Sequence, residues 1–347
     1  MNILIIGNGF DLAHGLQTSY KNFLTFTKKF ANYKTITEKG NVIDRQNLKE
    51  LKYFEYLSKL FNESKDDNGV KKIIDELDEM IRDNIWLEHF DKVQKNNTQT
   101  NFEVKRARVK DGWIDFESEI SRVIQEFEEV LKVNNNIFRE DEGKSSWPEL
   151  LNMRQGEMFK RLGIKLDNNI EEDVREKKEK GLKDLDKLIR CLEIYLSDYI
   201  NKVQVKKILS DIKELPLSSI DKVLSFNYTN TFERLYKNSS LVEFDYIHGQ
   251  ADIKKDINTN NMVLGIDEYL KGEERNENIE FIAFKKFYQR IHKETGCKYK
   301  DWVAEIRANN DALNKENVKQ HNLFIFGHSL DITDGDVLRD LILNDNV

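Results

Sequence analysis

The sequence predicts an α/β fold with a Rossmann-like, mostly parallel sheet drawn from the two ends of the chain and a large all-α insertion between them. Three observations carry that expectation. Short, unbroken apolar runs of the kind found in interior parallel strands occur towards the ends, at Asn2–Ile6, 222–226 (KVLSF), 242–247 (VEFDYI), 262–264 and Asn322–Phe326. Four of these five give way to turn or polar residues, and strand ends are where open α/β sheets bind ligands. The stretch between them is poor in glycine, densely charged and apolar at helical spacing.

In chain order, Asn2–Ile6 reads as a fully buried strand, and the Gly7-Asn8-Gly9 turn behind it opens a helix. Helices are expected over 48–60, 70–93 and 113–131, the last carrying Ile114, Ile120, Ile124, Phe127 and Leu131. Residues 134–173 read as mostly loop, broken most clearly at Trp147-Pro148. A long amphipathic helix follows, with Leu182, Leu185, Ile189, Leu192, Leu196, Tyr199 and Val203 in one stripe. No internal repeat is found. The expected division is an α/β nucleotide-binding core in residues 1–30 and 216–347, with a helical insertion in 31–215.

The composition narrows the function classes. With 39% apolar and 34% charged residues in 347, the chain reads as water-soluble and large enough to bury a core without staples. No apolar run approaches the ~20 residues of a membrane-spanning helix, so no membrane partner is expected. The opening apolar run is too short for a signal-peptide core and ends in a glycine turn, which sets the expectation of a folded domain from Met1 and a cytoplasmic location. Cys191 and Cys297 form no CxxC pair and the six histidines no HxxxH pair, so neither a disulfide framework nor a metal is expected. A net charge of -7 argues against non-specific nucleic-acid binding. Gly143-Lys144-Ser145 imitates the end of a P-loop, but Phe138 stands where its first glycine belongs. A homo-oligomer is left open.

Three segments hold residues suited to chemistry. In Gly7-Asn8-Gly9-Phe10-Asp11 the glycines let backbone amides approach a phosphate at a helix start, although Leu12 replaces the third glycine of the dinucleotide fingerprint. The bland alternative is a tight turn. The second segment pairs Asn227, in SFNYTN, with His248 and Gly249 at the end of the next strand; an amide and an imidazole there can orient and deprotonate a hydroxyl or a water. Taken singly, each also reads as a turn-stabilising residue. The third is GHSLDITD, in which Gly327 and Ser329 can contact phosphate or ribose, while Asp331 or Asp334 reads as a cap for the final helix. Asp115 and Glu117, two apart, cannot act as a catalytic pair on a helix.

The order GNGFDLAHG, WIDFE, SFNYTN, HG and GHSLDITD resembles the bacteriophage abortive-infection AbiH family over nearly the whole chain. The order of glycine loop, strand-end Asn, His-Gly and Gly-x-Ser-Leu is also similar to a distant sirtuin, without the sirtuin zinc cysteines and with Phe10-Asp11 continuing the loop differently. That resemblance implies a sirtuin-like sheet and NAD as substrate or ligand. Gly7, Asn8, Gly9, Phe10, Asp11, Gly249, Gly327 and Ser329 would then hold the nucleotide, with Asn227 and His248 acting at the nicotinamide ribose. Phage defence by NAD hydrolysis is the leading expectation. The alternatives are a non-catalytic sensor, binding a nucleotide or a triggering phage protein through the insertion, and a nucleotide hydrolase or transferase using Asp11 and His14.

Overall fold

The computed structural model describes residues 1–39, 51–99, 115–140, 153–165, 169–205, 219–236, 241–270, 272, 279–311, 321–330 and 334–342. Trp113, Ile114, Phe138's side chain, Gly143-Lys144-Ser145, Trp147-Pro148 and Asp331 lie outside what is described. The elements in order are β1 (Asn2–Ile6), α1 (Asn8–Ala13), α2 (Tyr20–Glu38), α3 (Leu51–Glu63), α4 (Asn68–Ile81), α5 (Ile85–Gln99) and α6 (Phe116–Glu140). Next come α7 (Met153–Leu162), α8 (Ile170–Ile194) running on into a π-helical turn (Tyr195–Ile200), β2 (Lys222–Ser225), α9 (Thr231–Tyr236) and β3 (Glu243–Tyr246). A 3-10 turn (Ile282–Phe284), α10 (Lys286–His292), α11 (Lys298–Asp311), β4 (Asn322–Phe326) and α12 (Gly335–Ile342) complete the chain.

The contacts divide the chain into two units, one of residues 1–19, 192–270 and 285–347 and the other of 20–191 and 271–284. The first holds a four-stranded sheet in the order β3-β2-β1-β4, and every pairing is parallel. It is an α/β unit. Alternation along the strands sends Ile3, Ile5 and Leu224 to one face, against Trp302, Val303 and Ile306 of α11 and Val337, Leu338 and Leu341 of α12. Leu4, Ile6 and Val223 point the other way, against Phe10 of α1 and Phe232 and Tyr236 of α9. Both faces of β1 and β2 are covered, which is why these central strands read as continuous apolar runs.

In the second unit every regular element among the described residues is a helix. Its core is aromatic: Phe116 is fully buried and stacks on both Tyr20 and Phe90, with ring centroids 4.2 and 4.1 Å away. Asn84 starts α5 by accepting from the amides of Trp86 and Leu87, while its own amide donates to Asp184 O. The WIDFE motif serves this packing, because Asp115 accepts from the Glu117 amide and the Ser118 hydroxyl at the start of α6, and Phe116 is the core ring.

Two sequence expectations need correction. Residues 134–173 were expected to be mostly loop, yet α6 runs to Glu140, α7 fills Met153–Leu162 and α8 starts at Ile170. Among the described side chains the apolar stripe of α7 is Met158, Phe159 and Leu162, too short for periodicity to register, and their burial supports the helix. The run at 262–264 belongs to no strand. It is buried because its main chain bonds to side chains and loops: Val263 N donates to His248 O at 2.8 Å, and Val263 O accepts from Tyr228 Oη at 2.7 Å.

A close backbone approach lies between the loops after β1 and β4. A Cβ on Gly327, whose φ is +67°, would lie 2.2 Å from Phe10 N, and one on Gly9 would lie 2.7 Å from Gly327 O. Gly327→Ala therefore combines a left-handed backbone with a steric clash and is expected to cost roughly 2–4 kcal/mol. Urea unfolding checks this, with Gly335→Ala as control: it lies at the start of α12, its Cβ would meet nothing nearer than Arg339 at 3.9 Å, and it should be neutral or stabilising.

Candidate functional site at the carboxyl edge of the sheet

Because all four strands are parallel, their carboxyl ends share one edge. Ile6 pairs with both Ser225 and Phe326, and Ser225 pairs with Tyr246. Two residues beyond each of these stand Asn8, Asn227, His248 and His328, in the segments that leave this edge. The structure thus brings the glycine loop, Asn227, His248 and Gly327 to a single edge.

Asn227 is 5% exposed, and neither of its side-chain polar atoms has a hydrogen-bond partner. Its backbone is fixed, since the Ser225 hydroxyl accepts from Asn227 N and donates to Asn227 O. Farther along the same loop, Thr229 Oγ1 donates to Asp11 Oδ2 at 2.5 Å and Thr231 Oγ1 donates to Thr229 Oγ1 at 3.2 Å. Asp11 is 1% exposed, its Oδ1 has no partner, and burial pushes its carboxyl up against the pull of the threonine hydroxyls. Asn230 Oδ1 is likewise buried and unpartnered. Such atoms are rare in folded proteins. Here five of them, on Asp11, Asn227, Asn230 and His248, gather in the loops after β1, β2 and β3.

His248 joins a second cluster. Its Nε2 lies 3.1 Å from Asp334 Oδ1, so this nitrogen donates and the buried, unpartnered Nδ1 keeps its lone pair. Burial pushes the imidazole pKa down, Lys286 and Arg290 add to that, and Asp334 opposes it, leaving a neutral ring at pH 7. His328 approaches the other oxygen of Asp334 with Nε2 at 3.4 Å, while its Nδ1 accepts from the Leu330 amide. Lys286 Nζ lies 3.4 Å from Oδ1. Burial alone would raise the Asp334 carboxyl, but the hydrogen bonds from the two histidines and the Lys286 charge outweigh it and hold the group well below the usual carboxylate range. Asp334, expected to cap the last helix, spends both oxygens on these partners instead. His328, Asp334 and Lys286 escaped sequence reasoning; the signal for the first two was the spacing within GHSLDITD.

The remaining expected residues are placed as follows. Gly7 N donates to Phe326 O at 3.2 Å, Gly9 N to Gly327 O at 2.8 Å and Phe10 N to Gly7 O at 2.9 Å, so these amides serve the protein's own backbone. Phe10 is fully buried, with Phe232, Tyr236 and Phe326 around it. Gly249, φ +78°, makes room for the 261–262 segment, since a Cβ there would lie 2.1 Å from Asn261 O. Asn8 and Ser329 are exposed. His14 Nδ1 donates to Phe10 O at 2.7 Å, which leaves Nε2 to accept from Tyr236 Oη at 2.6 Å, so both nitrogens are engaged. Among the described residues no group of His, Cys, Asp and Glu could hold a metal ion, and no helix is long and apolar enough to cross a membrane.

The protein is a parallel α/β protein with unsatisfied polar groups at the carboxyl ends of its strands, the edge at which open α/β sheets bind ligands. Its family is equally plain: the chain belongs to the bacteriophage abortive infection AbiH family, whose model matches residues 3–347. Comparisons with curated proteins and with solved structures gave no match.

Asp267 provides a test of the electrostatics. Its carboxyl is pushed up to about 6, by burial first and then by Asp334 and Asp336 against Lys286 and Arg290. A raised carboxyl destabilises the fold as pH rises from about 3.9 through 6, whereas depressed Asp334 and depressed His248 lose stability as pH falls, below about 3.9 and about 6.5 respectively. Asp267→Asn is therefore expected to raise the melting temperature at pH 7.5 and to leave it unchanged near pH 4. Equal melting at pH 7.5 would show that Asp267 carries no such burden.

Proposed function

We propose that the strand-end site binds NAD and hydrolyses the bond between nicotinamide and ribose. Family membership gives the biological setting, abortive infection of bacteriophage. The observation that carries the chemistry is the pairing of His248 Nδ1, a buried acceptor on a neutral imidazole, with the unpartnered amide of Asn227 on the adjacent strand end. The strand order 3-2-1-4 also matches the first four strands of doubly wound dinucleotide-binding sheets.

In this reaction the bond from ribose C1′ to the pyridinium nitrogen breaks with its electron pair passing to nitrogen, which neutralises the leaving group. No general acid is needed. A water adds to the oxocarbenium-like C1′ and gives its proton to His248 Nδ1, yielding nicotinamide, ADP-ribose and one proton. Asn227 orients that water or the ribose hydroxyls through its free donor and acceptor. Asp334 acts through His248, by holding the tautomer that leaves Nδ1 open. Asn8 and Ser329, exposed at the same edge, are left for the rest of the dinucleotide. A hydrolase built on Asp11 and His14 draws no support from the geometry, because both His14 nitrogens are already bonded.

Chromatographic assay of NAD turnover tests this. His248→Ala and Asn227→Ala should each lower kcat by about 100-fold or more, with the double variant scarcely worse than either. Activity should be flat above about pH 6.5 and fall only in acid, because His248 titrates below its ordinary value. Full activity in His248→Ala would remove the assigned base; NAD bound but left intact by the wild type would make the protein a sensor.

A further inference from the structure

We infer that the inner part of this site recognises the uncharged, donor-bearing ribosyl portion of its ligand, and that phosphate groups stay outside it. This deepens the function proposed above and rests on it only for the identity of the ribosyl ligand. The buried atoms without partners are Asp11 Oδ1, Asn227 Oδ1 and Nδ2, Asn230 Oδ1 and His248 Nδ1. Four of these are acceptors, given the tautomer fixed by Asp334, and one is a donor. A complementary ligand must bring hydroxyl or amide hydrogens. Ribose hydroxyls and a carboxamide do so; a phosphate dianion brings only acceptors and meets the Asp11 carboxyl.

The places where a phosphate would be expected are taken. In a doubly wound sheet the dinucleotide crosses the crevice where strand order reverses, here between β1 and β4. That crevice is filled by the Gly7–Gly9 and Gly327 loops packed backbone to backbone, with the Gly7 and Gly9 amides donating to Phe326 O and Gly327 O. Nearby cations are also engaged: Arg234 donates to Asn201 O, Arg290 pairs with Asp336 and Lys286 with Asp334. The unpartnered atoms lie instead around the ends of β2 and β3, with Asp11 drawn to the β2 loop by Thr229. They are closed to solvent, so a ligand reaches them only as the strand-end loops part, and its donors then meet acceptors already stripped of water.

The test uses full-length His248→Asn, which keeps an acceptor near the Nδ1 position and cannot take up the proton, with its melting curve checked against the wild type. Calorimetric titrations with NAD, nicotinamide riboside and inorganic pyrophosphate are compared. The riboside is expected to bind within about 10-fold of NAD, millimolar pyrophosphate to displace neither, and added Asp11→Asn to weaken both ribosyl ligands by about 10-fold or more, because Thr229 keeps the amide oxygen and the NH2 group then meets the ligand's donor without an acceptor. The inference is overturned by a riboside more than about 1,000-fold weaker than NAD, by displacement with pyrophosphate, by unchanged affinity in Asp11→Asn, or by no binding at all. The two proposals fail separately: riboside and NAD binding without cleavage of NAD by the wild type ends the glycohydrolase reading alone, whereas cleavage of NAD with phosphate-dominated binding ends this inference alone.

Discussion

The sheet depends on β1 lying between β2 and β4, paired to each along its length. A parallel neighbour cannot be reached by a tight turn, so each pairing requires a crossover. The crossover from β1 to β2 consumes residues 7–221, and that from β3 to β4 another long stretch. Loop-closure entropy grows only logarithmically, about 0.6 kcal/mol for each doubling of length, so a helical unit inside the first crossover costs the sheet little. What the pairing does demand is close approach at the strand ends. There the backbones of Gly9 and Gly327 meet at distances that admit no Cβ on either side.

The site inherits its geometry from that arrangement. Parallel strands in register end at one edge, which brings Asn227 and His248 to neighbouring strand ends although the two segments are linked only through α9 and β3. The neighbouring loops then fix the details. The hydroxyl of Ser225 clamps the Asn227 main chain, and the 262–264 segment, tied to His248 O and Tyr228 Oη, closes the outer side of the β2 and β3 ends. Satisfied backbone surrounds unsatisfied side chains, the reverse of what packing alone would select.

Much of this was legible in the sequence. Four apolar runs became the four strands, β1 and β2 buried on both faces and β3 and β4 less so at the edges, and the fifth failed because three apolar residues can be buried by side-chain hydrogen bonds without any ladder. The helical texture of the middle was readable wherever the stripe was long, as from Leu182 to Tyr199, and unreadable in α7, whose described stripe covers little more than one turn. Asn227 and His248 stood out by position, since strand ends are countable. Asp334 did not, because a carboxylate near the start of a helix reads as a cap, and only the fold brings His248 and His328, from the two outer strands, onto the same group. The glycines of the first loop were visible, but whether they approach a ligand or another backbone is a question of tertiary contact that spacing cannot answer.

Two buried carboxyls at this edge are pushed in opposite directions, and the contrast assigns their work. Asp334 receives two imidazole nitrogens and an ammonium, all donors, and stays an anion; those three partners take up most of its acceptor capacity. Asp11 receives one threonine hydroxyl, keeps Oδ1 open and has its carboxyl raised by burial. A group with an open oxygen in a dry setting gains most from an incoming hydroxyl or amide hydrogen, because no water has to be removed first. In the proposed function Asp334 therefore organises the protein side of the site, by fixing the His248 ring, while Asp11, with Oδ1 open, would face the ligand, and Asn227 would offer it both a donor and an acceptor.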